Sequence, residues 1–274
     1  MTINCKGILV DLSTPKVMGI LNVTPNSFYD GGKYKNESEI LSQVEKMLID
    51  GASFIDIGAY SSKPNAEFVS EQEEILRIVP VVDLILKHFP ETILSIDTFR
   101  SEVAKATIES GSAIINDISA GMLDDKMLEI IGKYNVPYIM MHMRGNPQTM
   151  QTLTNYEDIV KEMLFYFSER VAKARTFGIN DLILDPGFGF AKTIDQNYEV
   201  FQKMELFKML ELPLLVGISR KSMIYKTLDI TIENALNGTT VLNTLALSKG
   251  ANIIRVHDVK EAAECVTLFN KINL

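Results

Sequence analysis

The stretch ILSIDTFRSEVAKATIESGSAIINDISAG (93–121) decides the fold. An apolar run over 93–96 stops at Asp97, and a helical stretch opens at Ser101 and closes at Gly111. A second apolar run over 113–115 then stops at Asn116-Asp117. Two strand-like runs joined by a helix, each ending in a small polar cluster, read as one βα repeat of a parallel sheet.

The same sentence recurs in both directions. Apolar runs over 17–21, 54–57 and 138–141 end at Asn22, Gly58 and His142. Those over 182–184, 214–216 and 253–254 end at Asp185, Gly217 and Arg255-Val256-His257, which makes eight in all. Helical spacing fills 37–51, 70–89, 101–111, 123–133, 155–178, 195–210, 231–250 and 259–270, with Ser70 and Glu73 placed as a capping box. The alternation predicts an α/β chain closed into a single (β/α)8 TIM barrel over 1–274. Residues 3–11 form a short strand or hairpin capping its bottom. Chemistry in such a barrel belongs at the C-terminal ends of the strands.

The chain has 274 residues, 46% of them hydrophobic and 23% charged, which suits one sizeable core. A net charge of −8 argues against nucleic acid or an anionic membrane as partner. Any anionic ligand must be held by a few local cations or a metal. Cys5 and Cys265 show no metal spacing and read as reduced thiols. With no signal-like apolar run and no stretch of spanning length, the expected compartment is the cytoplasm.

Asp97, Asn116 and Asp185 each follow a strongly apolar run. Any one of them reads as a helix N-cap. Three at one mouth favour a site for the edge of a flat heterocycle rich in N–H donors. Arg255 and His257 alternate onto one face, where a planar fork and an imidazole suit phosphate oxygens; the alternative is an Arg–Asp structural pair with a capping His. In Gly217-Ile218-Ser219-Arg220-Lys221-Ser222, the glycine admits a ligand close to the backbone. Lys221 is a point charge, a donor or a Schiff-base amine, and Arg220 equally a surface residue. Phe190 covers a planar ligand or, like Phe188, packs the core. Asn22 is an acceptable hard-cation ligand, and no His/Cys set suits zinc. His88 reads as surface and His142 as structural. The longest loops, 22–36, 58–69 and 142–154, suit substrate loops or solvated connectors.

These segments together resemble the dihydropteroate synthase family. The matching pieces are GILNVTPNSFYDGG (19–32), DIGAYSSKP (56–64), SIDTFR (95–100), NDISAG (116–121), MHMRGNPQTMQ (141–151), DPGFGFAKT (185–193), GISRKSM (217–223) and RVHDV (255–259). The resemblance implies a pterin-binding TIM barrel. It would condense 6-hydroxymethyl-7,8-dihydropterin diphosphate with 4-aminobenzoate, releasing 7,8-dihydropteroate and pyrophosphate in folate biosynthesis. It implies that Asp97, Asn116, Asp185 and Lys221 hold the pterin, with Met140, Gly217 and Phe190 lining its pocket. Asn22 would ligate Mg²⁺. Arg255 and His257, with Ser62 and Lys63, would hold the diphosphate. Phe28, Ser62, Pro64, Phe190, Lys221 and Ser222 would form the 4-aminobenzoate pocket, which makes sulfonamides expected competitors. A homodimer is the implied assembly. Asp97, Lys221, Arg255 and His257 are the implied catalytic set.

Two loops depart from the family pattern. Asn26 and Tyr29 stand where Asp and Ser are usual, and Ser61-Ser62-Lys63-Pro64-Asn65 stands for STRPG. Lys63 keeps the charge of Arg without its fork, so weaker anion or 4-aminobenzoate binding is expected. The rival readings are a methyltetrahydrofolate:corrinoid methyltransferase, a Schiff-base aldolase using Lys221, and a pterin-binding pseudoenzyme. The SSKP and RVH segments favour diphosphate chemistry over the first. The retained Asn22, Lys221, Arg255 and His257 argue against the last.

Overall fold

In the computed structural model, residues 1–23, 33–60 and 69–272 are described, the side chains of 33–36 aside. The chain opens with an antiparallel hairpin of β1 (Thr2–Cys5) and β2 (Ile8–Asp11). Then come β3 (Lys16–Asn22), α1 (Lys33–Ile49), β4 (Phe54–Gly58), α2 (Glu71–His88), β5 (Leu94–Asp97), α3 (Ser101–Ser110) and β6 (Ile114–Asp117). The second half adds α4 (Met127–Tyr134), β7 (Tyr138–Met141), α5 (Ile159–Thr176), β8 (Leu182–Asp185) and α6 (Ile194–Gln202). A 3₁₀ helix (Met204–Leu210), β9 (Leu215–Val216), α7 (Ser222–Tyr225), α8 (Leu236–Ser248), β10 (Ile253–Val256) and α9 (Val259–Ile272) complete it.

The eight strands from β3 onward pair in parallel in the order β8-β7-β6-β5-β4-β3-β10-β9. The ring closes where Leu184 bridges Leu214 and the Leu184 N–H donates to Pro213 O at 2.9 Å. The eightfold βα reading therefore holds, and each polar cluster sits at a strand's C-terminal end.

Two-residue alternation sorts every strand into an outer and an inner row. Val17, Ile55, Ile57, Leu94, Ile96, Ile115, Tyr138, Met140, Leu182, Leu184, Val216 and Ile254 join the large cluster beneath the helices. Met18, Phe54, Ile114, Ile139, Ile183, Leu215 and Ile253 fill the barrel interior together with Ile3, Cys5 and Leu12. The hairpin thus plugs the bottom, as expected. It is tied there by the Asn4 N–H to Asp181 Oδ2 (2.9 Å) and by Asn252 Nδ2 to Leu12 O (2.9 Å). Burial pushes the Cys5 thiol up to about 12, and both cysteines are buried without a disulfide.

Helix boundaries shift where capping chemistry overrides spacing. Ser70 Oγ accepts from Glu73 N, but the Glu73 carboxylate turns to Arg77 (2.7 Å), so only half of the capping box forms. A complete box at Thr193 and Gln196 starts α6, which ends at its C-cap, Lys203, so 195–210 divides into α6 and the 3₁₀ helix. Asp158 caps α5, which starts four residues after Asn155. Stretch 231–250 shortens to α8, with the short α7 ahead of it.

Phe54 is fully buried in the inner layer. Phe54→Ala should lower stability by about 3–5 kcal/mol, the usual cost of an aromatic deletion in a closed core. Chemical denaturation checks it; a loss under about 1 kcal/mol would show that the barrel floor collapses onto the gap.

Candidate active site

One further step along six of the inner rows leads from the barrel floor to the mouth. Phe54 is followed by Asp56, Ser95 by Asp97, Ile114 by Asn116, Ile183 by Asp185, Leu215 by Gly217, and Ile253 by Arg255. Arg255 is the hub. Its Nε donates to Asp56 Oδ2 at 2.6 Å and its Nη2 to Asp97 Oδ2 at 2.8 Å. Asn116 Nδ2 donates to the same Asp56 oxygen at 3.0 Å. Asp97 and Arg255 retain partial exposure, whereas Asp56 has none.

Electrostatics at the mouth follow from withholding water. Burial pushes the Asp97 carboxyl up to about 7 against the pull of Arg255, and the Asp56 charge adds to the rise. Burial also raises Asp185, opposed by Lys221 and by the Gly187 N–H bonded to Asp185 Oδ1 at 2.8 Å. Lys221 is brought down to about 8, first by burial, with Asp185 holding it up and Arg255 pushing it further down.

The Lys221 ammonium donates to Phe188 O and lies 5.0 Å from the Phe190 ring centroid. A Cβ on Gly217 would stand 3.9 Å from both Lys221 Nζ and Arg255 Cβ, so Gly217 forms the wall between the two cations. Ser222 begins α7 directly after Lys221. The two aromatics divide: Phe188 is core, and Phe190 is half-buried at the mouth. Their loop depends on Gly187, at φ +66°, where a Cβ would come within 2.3 Å of His142 O. Lys192, whose role the sequence left unread, secures this loop. Its buried ammonium donates to Gly187 O (2.9 Å) and Phe190 O (3.1 Å), and it meets His142 Nδ1 at 3.1 Å. Burial brings Lys192 down to about 7 and holds His142 well below the usual imidazole range. His142 is structural, as expected, and His88 is exposed late in α2.

His257 is exposed at the mouth and held by Ser219, a partner the sequence reading missed. Ser219 Oγ lies 3.0 Å from His257 Nδ1 and accepts the His257 N–H at 3.2 Å. Arg220 is a bidentate partner of Asp258 (2.9 and 2.6 Å), tying the loop after β9 to the one after β10. Asn22 is exposed at the end of β3; a Cβ on Gly58 would lie 3.9 Å from its Oδ1 and 3.8 Å from Asp97 Oδ2. Among the described residues, no group of three or more His, Cys, Asp or Glu side chains could hold a metal.

One expected lining residue is misplaced. Met140 is fully buried in the outer cluster, so it faces the helices and not the pocket. Alternation gives the inner position to its neighbour Met141, which shares a cluster with Ile118 and half-buried Phe190. Adjacent methionines offered no signal to choose between them except the strand register. Asp56 was missed because it sits inside an apolar run, and that oddity was the available signal. The pair Asn116-Asp117 also separates by alternation. Asp117 points outward, accepting from Ser119 N and Oγ, Gly121 N and Tyr138 Oη, all within 2.7 Å. Phe28, Ser62, Lys63 and Pro64 lie outside the described residues, as do Asn26, Tyr29 and Asn65. The residues flanking 61–68 meet at Arg100, whose Nη2 donates to Val69 O (2.7 Å) and whose guanidinium lies 5.2 Å from the Tyr60 ring centroid.

A TIM barrel with carboxylates, an amide and two cations converging on its mouth, beside an aromatic ring, defines a class of heterocycle-binding barrel enzymes. The sequence profile described as "Pterin binding enzyme" matches residues 18–257. The chain is 42% identical over 268 residues to "Dihydropteroate synthase" of Escherichia coli (strain K12), covering 97% of this chain and 94% of that one. Against "Dihydropteroate synthase" of Synechocystis sp. it is 43% identical over 251 residues, covering 90% and 86%. A crystal structure of the Yersinia pestis dihydropteroate synthase with a sulfonamide drug superposes with a TM-score of 0.92 at 40% identity, covering 100% of this chain and 99% of that one. The Xanthomonas albilineans dihydropteroate synthase with 4-aminobenzoic acid gives 0.91 at 32% identity, covering 99% and 98%. The chain belongs to the dihydropteroate synthases of the pterin-binding enzyme family.

The outward Asp117 network gives a control away from the mouth. Tyr138→Phe removes one of its buried hydrogen bonds and should cost about 1–3 kcal/mol. Thermal unfolding measures it, and ligand affinity should stay unchanged.

Proposed function

We propose that this chain joins 6-hydroxymethyl-7,8-dihydropterin diphosphate to 4-aminobenzoate, giving 7,8-dihydropteroate and pyrophosphate in folate biosynthesis. The observation that carries this reading is the convergence of Asp97, Asn116 and Asp185 with Lys221 and Arg255 at one mouth. Asp97, Asn116 and Asp185, with Lys221 beside Asp185, suit the polar edge of a pterin. Arg255 and His257 suit its diphosphate.

The reaction needs little of the protein beyond position and charge. The bond between the pterin methylene and the diphosphate oxygen breaks, and its electron pair leaves with pyrophosphate. Arg255 and His257 stabilise that departing charge. Asp97 and Asp185 face the ring and favour the electron-poor methylene, which gives the step dissociative, SN1-like character. The 4-aminobenzoate nitrogen is neutral near pH 7; its lone pair forms the new C–N bond and its proton passes to solvent. Phe190, with Phe28, Pro64 and Ser222, would hold the amine, and Ser62 and Lys63 would add contacts to the anion. The Xanthomonas neighbour with 4-aminobenzoic acid supports that pocket.

Asn22 fits Mg²⁺ as a single neutral oxygen ligand at the mouth, the kind of contact expected of an ion that keeps most of its waters and binds substrate phosphates. Its Oδ1 lies on the same side of Gly58 as Asp97. When bound, the ion would neutralise diphosphate charge. A homodimer accompanies this reading, and the exposed Val241 and Leu245 of α8 and Leu268 of α9 are apolar surface for it to cover.

Two measurements test the proposal. With pterin diphosphate and Mg²⁺ alone, the protein should release a burst of pyrophosphate before 4-aminobenzoate is added; cleavage strictly dependent on the amine would exclude the dissociative route. Pterin affinity should also follow a bell in pH. Below about 7, Asp97 takes up a proton and ceases to be purely an acceptor; above about 8, Lys221 loses its charge. Calorimetry between about pH 5 and pH 10 would show the maximum between those values, and a flat profile would separate both groups from the pterin.

A further inference from the structure

Asp56 is a fully buried carboxylate within the apolar strand β4; it opens the DIGAYSSKP segment that carries the resemblance, but no site role came with it. Its Oδ2 accepts from Arg255 Nε at 2.6 Å and from Asn116 Nδ2 at 3.0 Å. Its Oδ1 is buried and has no hydrogen-bond partner among the described residues. An orphaned buried carboxylate oxygen is costly, and an apolar residue would pack the position at less expense. A cost kept at the mouth of a site calls for a function.

We propose that Asp56 is a positioning residue that sets the hydrogen-bonding polarity of the pterin edge, by taking the Asn116 NH2 and turning the Asn116 carbonyl oxygen to the ligand. The proposal rests on the pterin reading of the site. An asparagine amide offers donors on one side and an acceptor on the other, and either can face a ligand. A carboxylate against Arg255 can only accept, so it captures the NH2 side. With the NH2 turned to Asp56, the function that Asn116 has left to offer a ligand is its carbonyl oxygen, and the residue keeps a slight exposure at the mouth. It is thereby committed to receive an N–H. A heterocycle edge with a bare ring nitrogen at that point would face a lone pair with a lone pair, and would be rejected. Arg255 anchors the same Asp56 oxygen, so the diphosphate side of the mouth braces the pterin side.

Calorimetric binding of 6-hydroxymethylpterin provides the test. Asp56→Ala should weaken binding at least about tenfold, the order expected when a polar site loses its orientation. Asp56→Asn keeps an oxygen for both donors and should stay within about threefold of wild type. In an Asn116→Ala background, Asp56→Ala should add nothing, because both changes remove one device. Wild-type affinity in Asp56→Ala, or additive losses in the double variant, would overturn the proposal.

If the Asp56→Ala protein does not fold, the wild type still decides. Its Asn116 side-chain NH2 resonances, assigned by their loss in Asn116→Ala, should remain protected from exchange when pterin binds. Loss of that protection would mean that the amide turns over, and would overturn the idea. A wild-type protein that binds no pterin overturns the functional reading together with this one. A wild type that binds it, beside an Asp56→Ala protein that binds equally well, overturns this one alone.

Discussion

A closed parallel barrel has no interior room for a charge except at its open end, and this restriction organises the whole chain. Four inner rows start on an apolar residue and end on a polar one two positions later. Phe54, Ile114, Ile183 and Ile253 form the floor; Asp56, Asn116, Asp185 and Arg255 form the mouth. The floor comes from burial, supported from beneath by Ile3, Cys5 and Leu12 of the hairpin. The mouth is then the only level where the strands can present ionised groups to one another and to a ligand. Asp97 and Asn22 end β5 and β3 at the same level, while Phe190, Lys221 and His257 lie just beyond the ends of β8, β9 and β10.

That regularity also explains what could be read from the amino acids and what could not. Strand ends were legible because apolar runs break abruptly, as at Asp97 and Asp185. Helix ends were less so: apolar spacing did not show the break at Lys203 inside 195–210, and Glu73 preferred Arg77 to the backbone. Inner against outer was legible only where neighbouring residues differ in kind. Arg255 and Val256 sort themselves, but Met140 and Met141 do not, and the choice fell on the wrong one. Asn116 and Asp117 look like a single polar cluster, yet one faces the cavity and the other the helices. Asp56 was hidden by its apolar neighbours, and Ser219 and Lys192 act through partners 38 and 50 residues away in the chain.

The buried charges at the mouth have a consequence for binding. Taking Asp56, Asp97 and Arg255 from water costs folding free energy that their mutual pairing offsets only in part. That cost falls on folding rather than on ligand binding. In the proposed reaction, a pterin reaching Asp97 would meet a carboxylate already desolvated on most sides, whose present donor is the Arg255 Nη2. Binding would then exchange one N–H donor for another in a medium where such bonds are strong. The guanidinium would retain its Nε bond to Asp56 through that exchange, and so stay placed for the departing diphosphate of the proposed reaction. A lysine at 255 could not act in this way. Its single ammonium has no second edge to keep on Asp56 while the first is given up, which is the physical reason for a planar fork at this position.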